Sequence, residues 1–192
     1  MTCIVCGAPG HPFCGVHQKA PAGQRGGWLS SHRRKLALAD HEQAPLEPID
    51  ANQIVRRLWI GSKPPVDRRL PGFSAIALCA QEYQPEKTAW TGRILRARLD
   101  DAVPSQAEIL QAVTAARQVA EEMRRGGRVL VTCYMGLNRS ALVAAMSLLM
   151  QTPRATPDLI IRRIRERRSP DALSNASFVK VLHSLWSSRV AR

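Results

Sequence analysis

Val129-Leu-Val-Thr-Cys133-Tyr-Met-Gly136-Leu-Asn-Arg139-Ser140, running into Ala141-Leu-Val-Ala-Ala-Met-Ser-Leu-Leu-Met150, decides the reading of this chain. The apolar, β-branched run from Val129 reads as a buried strand. A short loop with one glycine follows, and an apolar helix opens at Arg139. A cysteine therefore ends a strand, and five residues later an arginine starts a helix. Such a loop turns successive backbone N–H groups into a concavity at a helix N-terminus, which suits a phosphate-sized dianion. The same groups favour a thiolate, making Cys133 a nucleophile. Arg139 adds a planar fork for two phosphate oxygens. Gly136 permits a sharp turn at positive φ, and Ser140 can donate its hydroxyl to the sulfur. The stretch reads as a phosphate-cleaving site, with Tyr134, Met135, Gly136, Leu137, Asn138 and Arg139 as its phosphate-binding loop.

Around it, 192 residues are enough for one ordinary domain with its own core and an appendage. No window approaches the run of about 18 apolar residues that a membrane span needs. The opening Met-Thr-Cys-Ile-Val-Cys lacks the charged and apolar regions of a signal peptide. Together with five cysteines and a thiolate nucleophile, this points to the cytoplasm. The net charge of +13 is uneven: residues 1–47 carry +2 and residues 48–192 carry +11. The positive field thus belongs to the part that holds Cys133, where it would steer anionic substrates. Nucleic acid is the rival explanation of that charge.

The N-terminus carries a second pattern. Cys3-Ile-Val-Cys6 and Cys14-Gly-Val-His17 are two short-spaced ligand pairs separated by a turn-rich heptapeptide. They fit a closed, tetrahedral Cys3His site for structural Zn2+, with His11 as competitor for the fourth position. So short a segment cannot bury a core and should need its metal to fold. Residues 1–18 contain no Lys or Arg, so a protein partner suits this knuckle better than a phosphate backbone. Residues 19–48 read as a linker, with Ser30 to Glu42 as a possible short helix. The main domain is expected over residues 49–192.

Within that domain, Ile54 to Ser62 reads as a strand pair closed by a Gly-containing turn, and Phe73 to Ala80 as a buried strand. Arg93 to Leu99 reads as a further strand leading into Asp100-Asp101. Ser105-Gln-Ala-Glu108 is a capping box for a helix to about Arg125, with Ile109, Val113, Ala116 and Val119 inward and Gly126-Gly127 as its stop. Thr156 and Pro157 start another helix. Its Leu159, Ile160 and Ile164 face inward, and the arginines between 162 and 168 form a solvated basic face. His183 lies among Val181, Leu182 and Leu185 and is read as structural.

The Cys133 to Ser140 loop resembles the signature loop of the cysteine-dependent protein tyrosine phosphatases, and its Gly-x-x-Arg-Ser ending the dual-specificity branch. Leu58-Trp-Ile-Gly61 is similar to that branch's opening strand, and Arg168-Ser-Pro170 with Asn175-Ala-Ser-Phe178 to its tail. The resemblance covers about residues 50–190. It implies an α/β fold, with a mixed, mainly parallel sheet and helices on both faces. It also implies phosphate monoester hydrolysis through a cysteinyl-phosphate on Cys133, without a catalytic metal. An aspartate just after a strand would act as general acid and then base. Asp101 fits that position best, with Asp100 as the alternative. Thr132 stands where the family has His, and its hydroxyl can bond nearby backbone instead. Cys79 would end a strand beside the one carrying Cys133, so a reversible disulfide between them, or an ordinary buried thiol, are both open.

The loop supplies no lysine, which favours phosphoprotein (Tyr and Ser/Thr) over RNA 5′-phosphate or lipid as substrate. A catalytically weak module that only reads phosphorylated partners is the alternative from another class.

Overall fold

The computed structural model describes residues 49–190. The zinc ligands expected at Cys3, Cys6, Cys14 and His17 and the linker over 19–48 lie outside the described residues. Five strands, β1 (Ala51–Val55), β2 (Leu58–Gly61), β3 (Ala75–Ala80), β4 (Arg93–Leu99) and β5 (Val129–Thr132), form one sheet in the order β1-β2-β5-β3-β4. The β1–β2 pair is antiparallel and the other three pairings are parallel, giving the mixed, mainly parallel sheet expected. Strands β3 and β5 are buried at every position, as their unbroken apolar runs require. The partly exposed β4 instead alternates, with Leu95, Ala97 and Leu99 inward and Arg96 and Arg98 outward.

Four helices follow from local chemistry. In α1 (Gln106–Arg124), Ser105 and Glu108 form the full capping box, and Gly126 at φ 96° follows the helix end. Its buried stripe differs from the expected one. Ala112, Ala115, Ala116, Val119 and Ala120 face inward, while Ile109 and Val113 are only half-buried. The reason is close packing against α2 (Arg139–Gln151), itself lined by Ala141, Ala144 and Ala145. Thr156 caps α3 (Pro157–Arg167) with Pro157 in its first turn. The last helix, α4, spans Ala176–Val190. The other three helices all pack against α2.

Two expectations change. The β1–β2 turn contains no glycine: Arg56 and Arg57 connect Val55 to Leu58, with Arg57 at φ 71°. Gly61 ends β2 instead, where a Cβ would stand 2.6 Å from the Asp50 carbonyl oxygen. The basic face of α3 is also not wholly solvated. Arg163 is buried and its Nε donates to the Ile54 carbonyl at 3.1 Å. Arg165 donates to the carbonyls of Ala172 and Leu173. No helix among the described residues is long and apolar enough to cross a membrane.

Candidate active site

The carboxyl ends of the parallel strands meet at one edge of the sheet, where open α/β sheets place their ligands. Cys133 follows β5, Gly61 ends the neighbouring β2, Glu82 follows β3, and Asp101 follows β4. The topology thus gathers residues that are far apart in the chain.

From Tyr134 to Leu137, every carbonyl is taken by a donor outside the loop. The Lys63 N–H donates to Tyr134 O (3.2 Å) and the Leu173 N–H to Leu137 O (3.0 Å). Between them the Arg168 guanidinium donates through Nη2 to Met135 O (3.0 Å) and through Nε to Gly136 O (3.1 Å). A trans peptide carries its N–H opposite its C=O. Carbonyls pinned outward therefore turn the N–H groups of residues 135–138 into the loop. One of these contacts is direct: the Gly136 N–H donates to the Cys133 sulfur at 3.2 Å. Gly136 has φ 71°, and a Cβ there would lie 2.5 Å from the Gly61 carbonyl carbon. The glycine read as a turn former is thus required both by its backbone angle and by close approach.

Cys133 is 3% exposed, and its sulfur lies 3.2 Å from the Ser140 hydroxyl. Arg139 opens α2 and is 7% exposed. Its Nη1 bonds the Glu82 carboxylate at 2.5 Å and the Leu99 carbonyl at 3.3 Å, while its buried Nε has no partner. Burial works against its charge, but Glu82, Cys133 and Asp101 outweigh this and hold the guanidinium protonated. The bond from Arg139 in turn lowers the Glu82 carboxyl from its usual range. Tethering at Nη1 leaves the Nε edge to meet an anion, with the geometry of a two-point grip on phosphoryl oxygens. Thr132, buried, donates its hydroxyl to Ala77 O at 3.2 Å, a tie between β5 and β3.

Of the two aspartates, it is Asp101 whose carboxylate touches the loop. Asn138 Nδ2 donates to Oδ2 and Asn175 Nδ2 to Oδ1, each at 3.1 Å. Asp100 contributes its backbone N–H to Glu108 Oε1 at the start of α1. At the rim, Tyr134 and Met135 are 48% and 63% exposed, and the Lys63 ammonium stands 4.4 Å from the Tyr134 ring centre.

Cys79 sits on β3 next to Leu78, which pairs with Thr132, so the parallel register carries it alongside Cys133. Both are free thiols in the structure. Burial, reinforced by the charge of Cys133 and opposed by Arg139, pushes the Cys79 thiol well up. His183 is half-buried on α4, its Nε2 3.3 Å from Asp158 of α3, a helix-to-helix contact.

Sequence reasoning did not find Glu82, Asp50, Lys63 or Leu173 as parts of this site. Arg168 and Asn175 were visible as tail motifs without a stated task; the structure places both against the loop or its acid. Asp50 binds Arg168 through both oxygens, at 2.5 and 2.6 Å, and that bond lowers the Asp50 carboxyl. Among the described residues, no cluster of three or more His, Cys, Asp or Glu could hold a metal ion.

A loop at a strand–helix junction that holds a buried cysteine and a buried arginine, with an aspartate bonded to its rim, has the arrangement of a cysteine-based phosphatase site. Residues 75–187 match the family described as dual specificity phosphatase, catalytic domain, and the chain belongs to that family. None of the curated proteins compared with it matches its sequence.

Among solved structures, a mouse putative dual specificity phosphatase complexed with zinc tungstate is 20% identical. That match covers 79% of this chain and 98% of the other, with a TM-score of 0.60. The human tyrosine phosphatase-like serine/threonine/tyrosine-interacting protein is 21% identical over 74% of this chain and 99% of its own, with a TM-score of 0.61. PTPMT1 in complex with PI(5)P is 19% identical over 74% and 98%, with a TM-score of 0.56. Likeness at these identities concerns the fold.

Proposed function

We propose that this chain hydrolyses phosphate monoesters, with phosphoprotein (phosphotyrosine and phosphoserine/threonine) as substrate, through a cysteinyl-phosphate on Cys133. The observation that carries the reading is the phosphate loop itself: four outward carbonyls, inward amides, a sulfur at the centre and an unpartnered guanidinium edge.

The Cys133 thiolate attacks phosphorus, forming the S–P bond as the ester P–O bond breaks. Asp101 gives its proton to the departing oxygen. Arg139 and the loop amides hold the equatorial oxygens, where positioning and electrostatics supply most of the rate. Water then yields a proton to the Asp101 carboxylate and forms the new O–P bond. The S–P bond breaks back to thiolate, which accepts the Ser140 hydroxyl. The proton taken from water restores the acid, so one cycle consumes one water.

Lipid phosphate is the second reading. It is favoured by Lys63, which brings to the rim a cation that the loop sequence lacks. The zinc knuckle at Cys3, Cys6, Cys14 and His17 remains proposed as a structural module for a protein partner.

The deciding experiment is turnover of a generic aryl phosphate by wild type and Cys133→Ser, both with EDTA. Turnover that survives EDTA and disappears in the variant is expected. A folded wild type without turnover from pH 5 to 8 would leave phosphate-dependent binding as the account. Phosphopeptides and a soluble phosphoinositide, compared by kcat/KM, then separate the two substrate readings.

A further inference from the structure

Asn138 sits at the N-cap of α2, where an asparagine ordinarily accepts an N–H from the first turn and so stabilises the helix. Its side chain makes no capping bond. It is turned away instead. Its Nδ2 donates to Asp101 Oδ2 at 3.1 Å, and its Oδ1 accepts from the Asn175 N–H at 3.1 Å and the Ser174 hydroxyl at 3.3 Å. Two consequences follow. The first N–H groups of α2 receive no bond from the cap side chain and stay available to an anion. The asparagine becomes a bridge between the phosphate loop, the 174–175 segment and the loop that carries Asp101.

Resting on the phosphatase reading above, we infer that the Asn138 side chain is a positioning residue for the acid: it holds the Asp101 carboxyl at the rim of the phosphate loop, where its proton can reach the leaving group. An amide suits this task. It anchors a carboxyl oxygen through N–H and brings no net charge to the acid. Asn175, which donates to the other oxygen and to the Ala102 carbonyl at 3.0 Å, supplies the second point of the clamp. The geometry fixes the acid's loop relative to Cys133 in the absence of substrate.

The test exploits what a general acid does. Phenyl phosphate has a poor leaving group that needs protonation, whereas a dinitrophenyl phosphate leaves as a stable anion and does not. With Asn138→Ala, kcat/KM for phenyl phosphate should fall at least about tenfold relative to kcat/KM for the dinitrophenyl ester, a part of the 10²–10⁴ that general acid catalysis contributes; kcat/KM reports the leaving-group step alone, before the water attack that both esters share. Asn138→Leu, which keeps the volume, removes the donor and places no second carboxyl beside Asp101, should show the same selectivity. In an Asp101→Asn background, Asn138→Ala should change kcat/KM for phenyl phosphate by less than about twofold, since the interaction it served is already gone.

An equal fall in kcat/KM for both esters in the Asn138 variants would overturn the inference and assign the side chain to loop folding. So would a full additional loss on top of Asp101→Asn. Absence of turnover of either ester by wild type would instead overturn the phosphatase reading, and this inference with it.

Discussion

Replacing Arg168 by methionine tests whether the phosphate loop is shaped from outside. Methionine keeps most of the volume and removes every donor. The Arg168 side chain is 7% exposed, and its charged bonds to Met135 O and Gly136 O would both be lost. A hydrogen bond to a charged group is worth about 1.5–3 kcal/mol, so the two together amount to about 3–6 kcal/mol. Partial resolvation of the freed carbonyls reduces this. The Asp50 partner is 60% exposed and adds at most about 1 kcal/mol. The expected net loss is about 3 kcal/mol, or a fall in Tm of about 6–12 °C for a chain of this size.

Activity should fall further than stability alone implies. Once the carbonyls are free to swing, the N–H groups no longer converge, and loss of even one such donor costs about 10²–10³ in kcat. Urea denaturation and aryl phosphate turnover read the two effects, and Asp50→Asn serves as the control that should cost under about 1 kcal/mol. An Arg168→Met protein within about 1 kcal/mol of wild type, turning over within about threefold, would refute external bracing of the loop.

Gly136→Ala should cost about 1–2 kcal/mol for the left-handed backbone alone. The clash with Gly61 backbone adds to this, and tungstate or phosphate inhibition should weaken with it; normal inhibition would show that the loop can shift at no cost. Glu82 and Asp50 are both lowered by their arginines, so each contributes stability that is complete above the unfolded carboxyl range near about pH 4 and is lost as pH falls through it toward the folded value. Urea midpoints measured from pH 7 to 3 should therefore drop at the acid end, and Glu82→Gln should flatten that drop. Ser105→Ala removes half of the capping box and should cost about 1 kcal/mol by denaturation, with no change in leaving-group selectivity.

What was legible in the sequence was local. The bounds of β4, the start of α2 at Arg139, the Ser105–Glu108 box and the Thr156–Pro157 start depend on side chains within a few residues of the backbone they serve. At the β1–β2 turn the nearby glycine, Gly61, is not the turn residue. The positive φ falls on Arg57, whose guanidinium lies 3.4 Å from Met123 O on α1. The tertiary contact overrides a local preference. The bracing of the phosphate loop was illegible for the same reason at larger scale. Arg168 meets Asp50 across 118 residues, and Arg139 meets Glu82 across 57. A lone Glu after a strand carries no pattern that announces such a partner.

The segment from Arg168 to Asn175 connects these observations. Arg168 and the N–H of Leu173, itself at φ 56° and fully buried, hold three of the outward carbonyls of the phosphate loop. Ser174 and Asn175 engage Asn138, and Asn175 also reaches Asp101. A bulky residue in the left-handed region is costly and persists where surrounding structure over-determines it. Here the reward is that one eight-residue connection between α3 and α4 fixes the phosphate cradle and the acid in a single frame. Cys133 and Asp101 come from the ends of different strands, so their relative placement is set by this frame rather than by the sheet alone. Displacing the segment should loosen both together, so loop and acid should fail as one unit, whereas Asn138 touches the acid arm of that frame selectively.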